Sequence, residues 1–419
     1  VSITIQGQEV PPEAIGMVAI LAAIICLFWS ARSNRKRRLM SDLPTSKTTG
    51  VFIGFNELKG TAEVDYPIRS YLAETPSVYY SYSIGEHWSK WVTEYYTDSK
   101  GKRRSRRVRK SGVTTVQSDN DMCDFFLRDN VGQILIHPDG ADIEPKVVFS
   151  RTVGRRSPLY YGKGPRRSVM HSDHRRTFTE YAIPEHAMLY VLGQARERDD
   201  IVAAEIALSD HAPDFLISTR SEEEIIRGKS MSFWLTGIAG FGFAGLGGHM
   251  LSQGMIEAVV GAVVLNGVLL FFSWFITVFN SIAGLKNRVE QAHSLVDVQL
   301  KRRHDLIPNL TRVINEQAQH EAIVQTSLAE IRARNGASEY RACKFEILAL
   351  AEAYPDLKSS ENFMQLSQEI IDTEDRIALA RNYYNEMVSF YNTRLETVPD
   401  GWISGMVGMR PAPFLEFEN

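Results

Sequence analysis

Three apolar runs and two stretches of helical periodicity divide the chain into membrane-like and soluble parts. Residues 14–31, AIGMVAILAAIICLFWSA, carry no charge over 18 positions, enough at about 1.5 Å rise per residue to cross most of a ~30 Å hydrocarbon core. Residues 231–247 and 256–279 are the second and third runs, separated by a turn around His249, Met250, Leu251, Ser252 and Gln253. This pair predicts a membrane hairpin. From Asn280 the period becomes helical, with Leu285, Val289, Ala292, Val296, Leu300, Arg303, Ile307, Leu310 and Ile314 recurring every three to four residues. Phe363, Leu366, Ile370, Thr373, Ile377, Ala380, Tyr384, Met387 and Tyr391 repeat that design, as the seam of an antiparallel bundle does. Pro308 should kink or divide the first helix. Asn335 and Gly336, Pro355, and Ser359 or Ser360 mark further breaks and a cap, for three or four helices.

Between the first run and the hairpin, residues 41–220 show short β-type runs bounded by turns: Val51 to Leu58, Ser77 to Ile84, Trp88 to Tyr96, Phe125 to Leu127, Gly132 to Ile136, and Ala187 to Leu192. The expected fold class is an α+β membrane protein with three transmembrane helices, a β-rich domain and a C-terminal antiparallel helical bundle. Its parts are an extracytoplasmic segment 1–13, spans 14–31, 231–247 and 256–279, a β-rich domain 40–220 and a bundle 280–419.

Charge orients these parts. Glu9 and Glu13 precede the first run while Arg32, Arg35, Lys36, Arg37 and Arg38 follow it. That is the reverse of a cleaved signal peptide, and it places the N-terminus outside, since basic residues flanking a span stay cytoplasmic. Arg220, Arg227 and Lys229 before the hairpin and Lys286 and Arg288 after it extend the same rule. Both soluble parts are therefore expected in the cytoplasm. The net charge of −3 over 419 residues hides this local bias.

Candidate chemistry is sparse. Cys26, Cys123 and Cys343 lie far apart without CxxC spacing, which excludes a zinc ribbon or a disulfide scaffold. Gly240, Gly242 and Gly245 fit GxGxxG but sit inside an apolar run with no preceding strand. Gly240, Ala244 and Gly248, four apart, instead suit close helix packing in a bilayer. His171 and His174 form an HxxH pair crowded by Arg166, Arg167, Arg175 and Arg176, which makes a cation unwelcome. There is no HExxH, GxSxG or GxxxxGK[ST]. No catalytic residue, cofactor or metal is expected.

Lys100, Lys102, Arg103, Arg104, Arg106, Arg107, Arg109 and Lys110 crowd eleven residues after the aromatic Tyr95–Tyr96 pair, as a basic loop or hairpin tip. On a membrane-tethered domain this favours anionic lipid, at about 1 kcal/mol per basic residue near the surface. A solvated loop, or an acidic or nucleic-acid partner, is the alternative.

Two resemblances are carried by motifs in order. PTSKTTGVFIGFNELKGTAE, ETPSVYYSYSI, FFLRDNVGQILIHPDGADIE and EYAIPEHAMLYVLGQA resemble the GIDE domain over about residues 40–195. That domain lies between the membrane helices of mitochondrial ubiquitin ligases. Their RING needs Cys and His ligands that this chain does not supply, and Ser77 stands where the family often has cysteine. The resemblance implies a fold and a membrane setting. FNSIAGLKNRVEQAHSLVDVQLKRRHDLIPNL, AQHE, AEAYPDLKSSENFMQLSQEIIDTEDRIALARNYYNEMVSFYNT and VPDGWISGMVG are similar to the LemA family over about residues 276–419. The resemblance implies a membrane-anchored antiparallel helical bundle. The matched positions include Arg303, Asp305, Pro308, Asn309, His320, Glu321, Tyr354, Glu374, Arg381, Tyr384, Asn385, Tyr391 and Asn392. Arg303, Asp305, Glu374 and Arg381 are expected on or beside the seam as paired charges.

The function expected from this reading is a non-enzymatic scaffold or assembly factor, homo-oligomeric, in a bacterial inner membrane. The alternatives are an accessory subunit of a membrane protease or other enzyme, and a hydrolase assembled from residues remote in sequence.

Overall fold

The computed structural model describes residues 4–5, 8–9, 11–51, 53–97, 101–198, 203–209, 212, 214–252, 254–317 and 361–415. Lys100, Gln253, His320, Glu321, Asn335, Gly336, Cys343, Tyr354, Pro355, Ser359 and Ser360 lie outside them. Two compact units emerge, Val1–Ser41 with Ile53–Thr277, and Asp42–Phe52 with Val278–Asn419.

The first unit opens with a two-strand hairpin, β1 (Thr4–Ile5) and β2 (Gln8–Glu9), and α1 (Pro12–Ser41). Helix α1 continues beyond the apolar run through the basic cluster. There Lys36 Nζ lies 2.9 Å from Asp214 Oδ2 and 3.9 Å from Asp142 Oδ2, so this flank is partly engaged by protein carboxylates.

The β region has two sheets. After β3 (Thr45–Ser46), which falls in the second unit, come β4 (Gly54–Glu63), β5 (Ile68–Arg69), β6 (Pro76–Thr97), β7 (Arg103–Met122), β8 (Phe125–Arg128), β9 (Gln133–Ile136), β10 (Asp142–Glu144) and β11 (Lys146–Gly154). The short α2 (Pro158–Gly162) leads to β12 (Ser172–Pro184), β13 (Met188–Glu197), β14 (Ala204–Ala207) and β15 (Leu216–Ser218). Strand β4 pairs with β8 and β13, β8 with β9, β9 with β14, and β14 with β13, so five strands close a ring. Leu58, Leu127, Ile136, Val191 and Ile206 are fully buried in these strands. Gly60 permits the closure, because a Cβ there would meet the Arg128 carbonyl oxygen at 2.4 Å. The second sheet runs β11–β12–β6, with β7 along β6 and β5 at its start.

Two expectations are corrected here. Ser77 to Ile84 and Trp88 to Tyr96 belong to one strand, β6, with a bulge at Ile84/Gly85. The basic cluster from Arg103 onward lies on strand β7, paired residue by residue with β6, and not in a loop or at a tip.

Helices α3 (Glu222–Leu251) and α4 (Ile256–Gln317) form a helical hairpin. Helix α1 packs antiparallel on α3: Ser33 Oγ is 3.1 Å from Ser232 Oγ, Cys26 borders Gly240, and Ile20 borders Gly247. The small residues do what their spacing implies, since a Cβ on Gly247 would meet Ile20 at 2.6 Å and one on Gly248 would meet the Ala258 carbonyl at 3.0 Å. Outward, Phe28, Trp29, Trp234, Leu235, Ile238, Phe271 and Phe272 stay more than half exposed. Among the described residues two helices, α1 and α4, are long and apolar enough to cross a membrane. Three were expected. Six glycines between Gly237 and Gly248 dilute the apolar content of α3.

In the second unit, α4 runs antiparallel to α5 (Glu361–Glu396), which is followed by α6 (Asp400–Val407). His293 meets Tyr384 at 5.6 Å between ring centroids, and ten residues further along α4 Arg303 meets Glu374, ten back on α5. Pro308 neither ends nor divides α4, which continues to Gln317. Asp42 binds Arg394 Nη2 at 2.5 Å and accepts from Ser281, while Arg394 Nη1 reaches Asp400 at 3.1 Å.

Candidate functional site

Six of the eight expected lipid-binding residues, Arg103, Arg104, Arg106, Arg107, Arg109 and Lys110, lie on the β6–β7 ribbon. Strand β12 pairs with β6 only as far as Trp88. Beyond it the two strands run on alone from Ser89 to Thr97 and back from Arg103 to Ser111, a protrusion of about 30 Å at 3.3 Å per residue. Directly opposed residues share a face. One face carries Trp91 opposite Arg109, Thr93 opposite Arg107, Tyr95 opposite Ser105 and Thr97 opposite Arg103, with no acidic residue among them. Trp91 is 63% and Tyr95 68% exposed. Arg103 lies 5.5 Å from the Tyr95 ring centroid, and Arg109 Nη2 is 3.9 Å from Asp173 at the ribbon root.

The other face carries Lys90 opposite Lys110, Val92 opposite Val108, Glu94 opposite Arg106 and Tyr96 opposite Arg104. Glu94 lies 3.2 Å from Arg106 and 3.1 Å from Lys110. These two bases hold its carboxyl below the usual range. One face is thus partly neutralised, whereas the Trp91–Tyr95 face carries no carboxylate along the ribbon and meets one, Asp173, only at its root through Arg109. Lys102 lies just before β7.

At the root of the sheet, charge is used internally. Glu86 and Arg176 are fully buried and paired at 2.9 Å. Tyr160 and Ser172 hydroxyls donate to Glu86 at 2.7 and 2.5 Å, and Arg176 donates to the carbonyls of Tyr160, Pro165 and Arg167. Burial pushes the Glu86 carboxyl up, but the hydrogen bonds from Ser172, Tyr160 and Arg176 outweigh it and leave it lowered. Every polar end is satisfied, so this network clamps α2 and its flanking loops to the sheet. His171 and His174 adopt φ values of 58° and 53° at the start of β12, and no metal-holding cluster occurs among the described residues.

In the helical unit, Arg303 Nη1 lies 3.5 Å from Glu374 Oε1, and both residues are buried. Burial raises the Glu374 carboxyl, offset in part by Arg303. Asp305 is exposed and off the seam, its carbonyl accepting from Asn309 at 3.3 Å. Arg381 is half-buried and acts on Glu374 through space. Tyr384 and Asn385 have a different role. With Tyr391 and Asn392 they hold the segment after α6. The Tyr384 and Tyr391 hydroxyls donate to the carbonyls of Pro413 and Arg410 at 2.9 and 3.1 Å. The Asn385 and Asn392 amides exchange paired hydrogen bonds with the backbones of Leu415 and Ala412, all at 2.9–3.0 Å. The Tyr-Asn doublet repeated seven residues apart was the available signal for this ladder, and for the ribbon it was the aromatic-rich run from Trp88 to Tyr96 followed by the basic cluster.

The family model for LemA matches residues 292–419, and the GIDE model, described as an E3 ubiquitin ligase, matches residues 93–249. The chain carries a LemA domain and a GIDE domain. The GIDE match takes in the ribbon from Thr93 onward and most of α3, and the LemA match takes in the Arg303–Glu374 pair and the Tyr–Asn ladder. Two magnetosome proteins of Paramagnetospirillum magneticum, MamQ 1 and MamQ 2, are each 27% identical over 70 residues, which cover 17% of this chain. The alignment spans about a quarter, 26%, of the length of these curated relatives. The two domains together with the apolar helices describe a membrane-associated protein.

Proposed function

We propose that the chain is a non-enzymatic scaffold or assembly factor of a bacterial inner membrane, which grips anionic lipid through the GIDE ribbon and self-associates through the LemA unit. In this reading α1, α3 and α4 are all spans, with both soluble parts cytoplasmic. The outward apolar faces of the three helices and the basic residues at their flanks support that topology. The GIDE description names a ubiquitin ligase, and the domain is carried over here as a membrane module without that reaction.

The observation that carries the reading is the Trp91–Tyr95 face. A two-stranded ribbon exposed on both faces has no core of its own and is marginal in water. Exposed aromatic rings beside Arg103 and Arg107, which share their face of the ribbon with no carboxylate, match a headgroup layer, where rings sit at the apolar boundary and guanidinium groups meet phosphate.

The test uses the full chain in nanodiscs containing brominated lipid. Trp91 fluorescence, obtained as the difference from a Trp91→Phe chain, should be quenched with phosphatidylglycerol present and recover in high salt. Equal quenching in purely phosphatidylcholine discs would reject the anionic-lipid role, and no quenching in either would reject membrane contact by the ribbon.

A further inference from the structure

The ladder on α5 reads backbone, and it reads it at a fixed gearing. Moving seven residues along α5, from Tyr384 to Tyr391 or from Asn385 to Asn392, moves the bonded partner three residues back along the tail, from Pro413 to Arg410 or from Leu415 to Ala412. Seven helical residues rise about 10.5 Å, a distance three residues cover only when nearly fully extended. The tail therefore lies antiparallel to α5 as a stretched strand. All six hydrogen bonds end on its main chain. The side chains of Arg410, Pro411, Pro413 and Phe414 remain exposed. Both prolines fall where no N–H is needed, since the donating amides belong to Ala412 and Leu415. Their fixed φ also pre-extends the strand, which lowers the cost of ordering it.

We propose that this Tyr–Asn ladder is a binding site for an extended, proline-containing segment, and that in the membrane assembly the segment it holds is residues 409–415 of a second copy of this chain. The inference deepens the self-association reading above and rests on it. Three observations point to a second copy. A site that recognises main-chain spacing accepts the same segment from a neighbour with every contact preserved, the condition for exchange of identical elements. The segment leaves α6 through Gly408, which is left-handed at φ +72°, and only Met409 separates that joint from the first rung. The same end of the molecule exposes Trp402 at 69% and Met406 at 79%, together with Val407 and Phe414. An apolar patch of that kind is normally covered by a partner. Confinement in one bilayer keeps neighbouring tails at high local concentration, so exchange competes with closure on the same chain.

Disulfide trapping in the full-length protein tests this. Asn392→Cys in a chain with one tag and Ala412→Cys in a chain with another are co-expressed, with Cys26, Cys123 and Cys343 replaced by Ser. The remaining rungs are left in place. A dimer bearing both tags after mild oxidation is the expected result. A synthetic peptide of residues 409–415 should suppress the mixed dimer, and the same peptide with one residue inserted between Ala412 and Pro413 should not. The single chain carrying both cysteines monitors folding and oxidation. If it closes internally while no mixed dimer forms, exchange between copies is overturned. If the chain is monomeric by mass in nanodiscs, the self-association reading falls with it, whereas a stable oligomer lacking the mixed dimer removes the exchange alone.

Discussion

His137 illustrates how single residues set the behaviour of the GIDE domain. Its Nδ1 lies 3.0 Å from Asp124 and its Nε2 3.0 Å from Glu205, which also accepts from Arg196 at 2.7 Å. Burial alone lowers the imidazole, but the two carboxylates outweigh it and raise its pKa above the ordinary value. A raised folded-state pKa contributes stability that is complete below the unfolded value near 6.5 and is lost as pH rises through the folded one. The thermal midpoint should therefore fall as pH rises from about 6.5 upward, and His137→Gln should flatten that slope. Melts across this range that are identical for the two proteins would contradict it. Glu86 makes a larger demand. Glu86→Ala leaves the fully buried Arg176 unpaired and should cost about 3–5 kcal/mol in urea unfolding, whereas Glu86→Leu with Arg176→Met should restore much of it. A loss under 1 kcal/mol for the single change would mean that the pair is not desolvated as described.

At the scale of elements, helix packing depends on absent side chains. Gly248→Val puts a Cβ against the Ala258 carbonyl and the Val259 Cα, both at 3.0 Å, and backbone cannot swing aside as a side chain can. Separation of α3 from α4 is expected, seen as faster proteolysis at the Leu251–Met255 turn, while Gly242→Ala, with nothing within 4 Å of its Cβ, should behave as the parent. The pattern of Gly240, Ala244 and Gly248 made this seam legible in the sequence, as did the period of α5 and the strands from Phe125 to Ile136. Strand β7 was not legible. RRSRRVRKSGVTTVQSDNDM lacks the apolar alternation of a half-buried strand, because neither of its faces is buried and its ladder comes from β6. Strand propensity of that kind is supplied by the partner. Nor could local sequence disclose that Glu86, which falls between the two expected strands, is buried because Arg176 arrives from 90 residues away. The candidate site was half legible: the basic residues were countable, but their division into a neutralised and an acid-free face required the register.

For the molecule as a whole, the charge bias around the apolar helices makes a topological prediction. A phosphatase fusion in the turn at Ser252 should be active and one following residue 419 inactive, and the opposite pattern would invert the orientation. The glycine-diluted α3 is decisive here, since without it as a span the two soluble parts fall on opposite sides. The tail ladder has a consequence for which changes the chain can absorb. Its rungs fix a ratio of seven helical residues to three extended ones and ignore the side chains that point away. Substitutions at Arg410, Pro411 or Phe414 are therefore tolerable, while a single inserted codon between Arg410 and Leu415 throws the rungs beyond it out of step. What this stretch encodes is a length, and mutational scanning should find it permissive to replacement and intolerant of insertion and deletion.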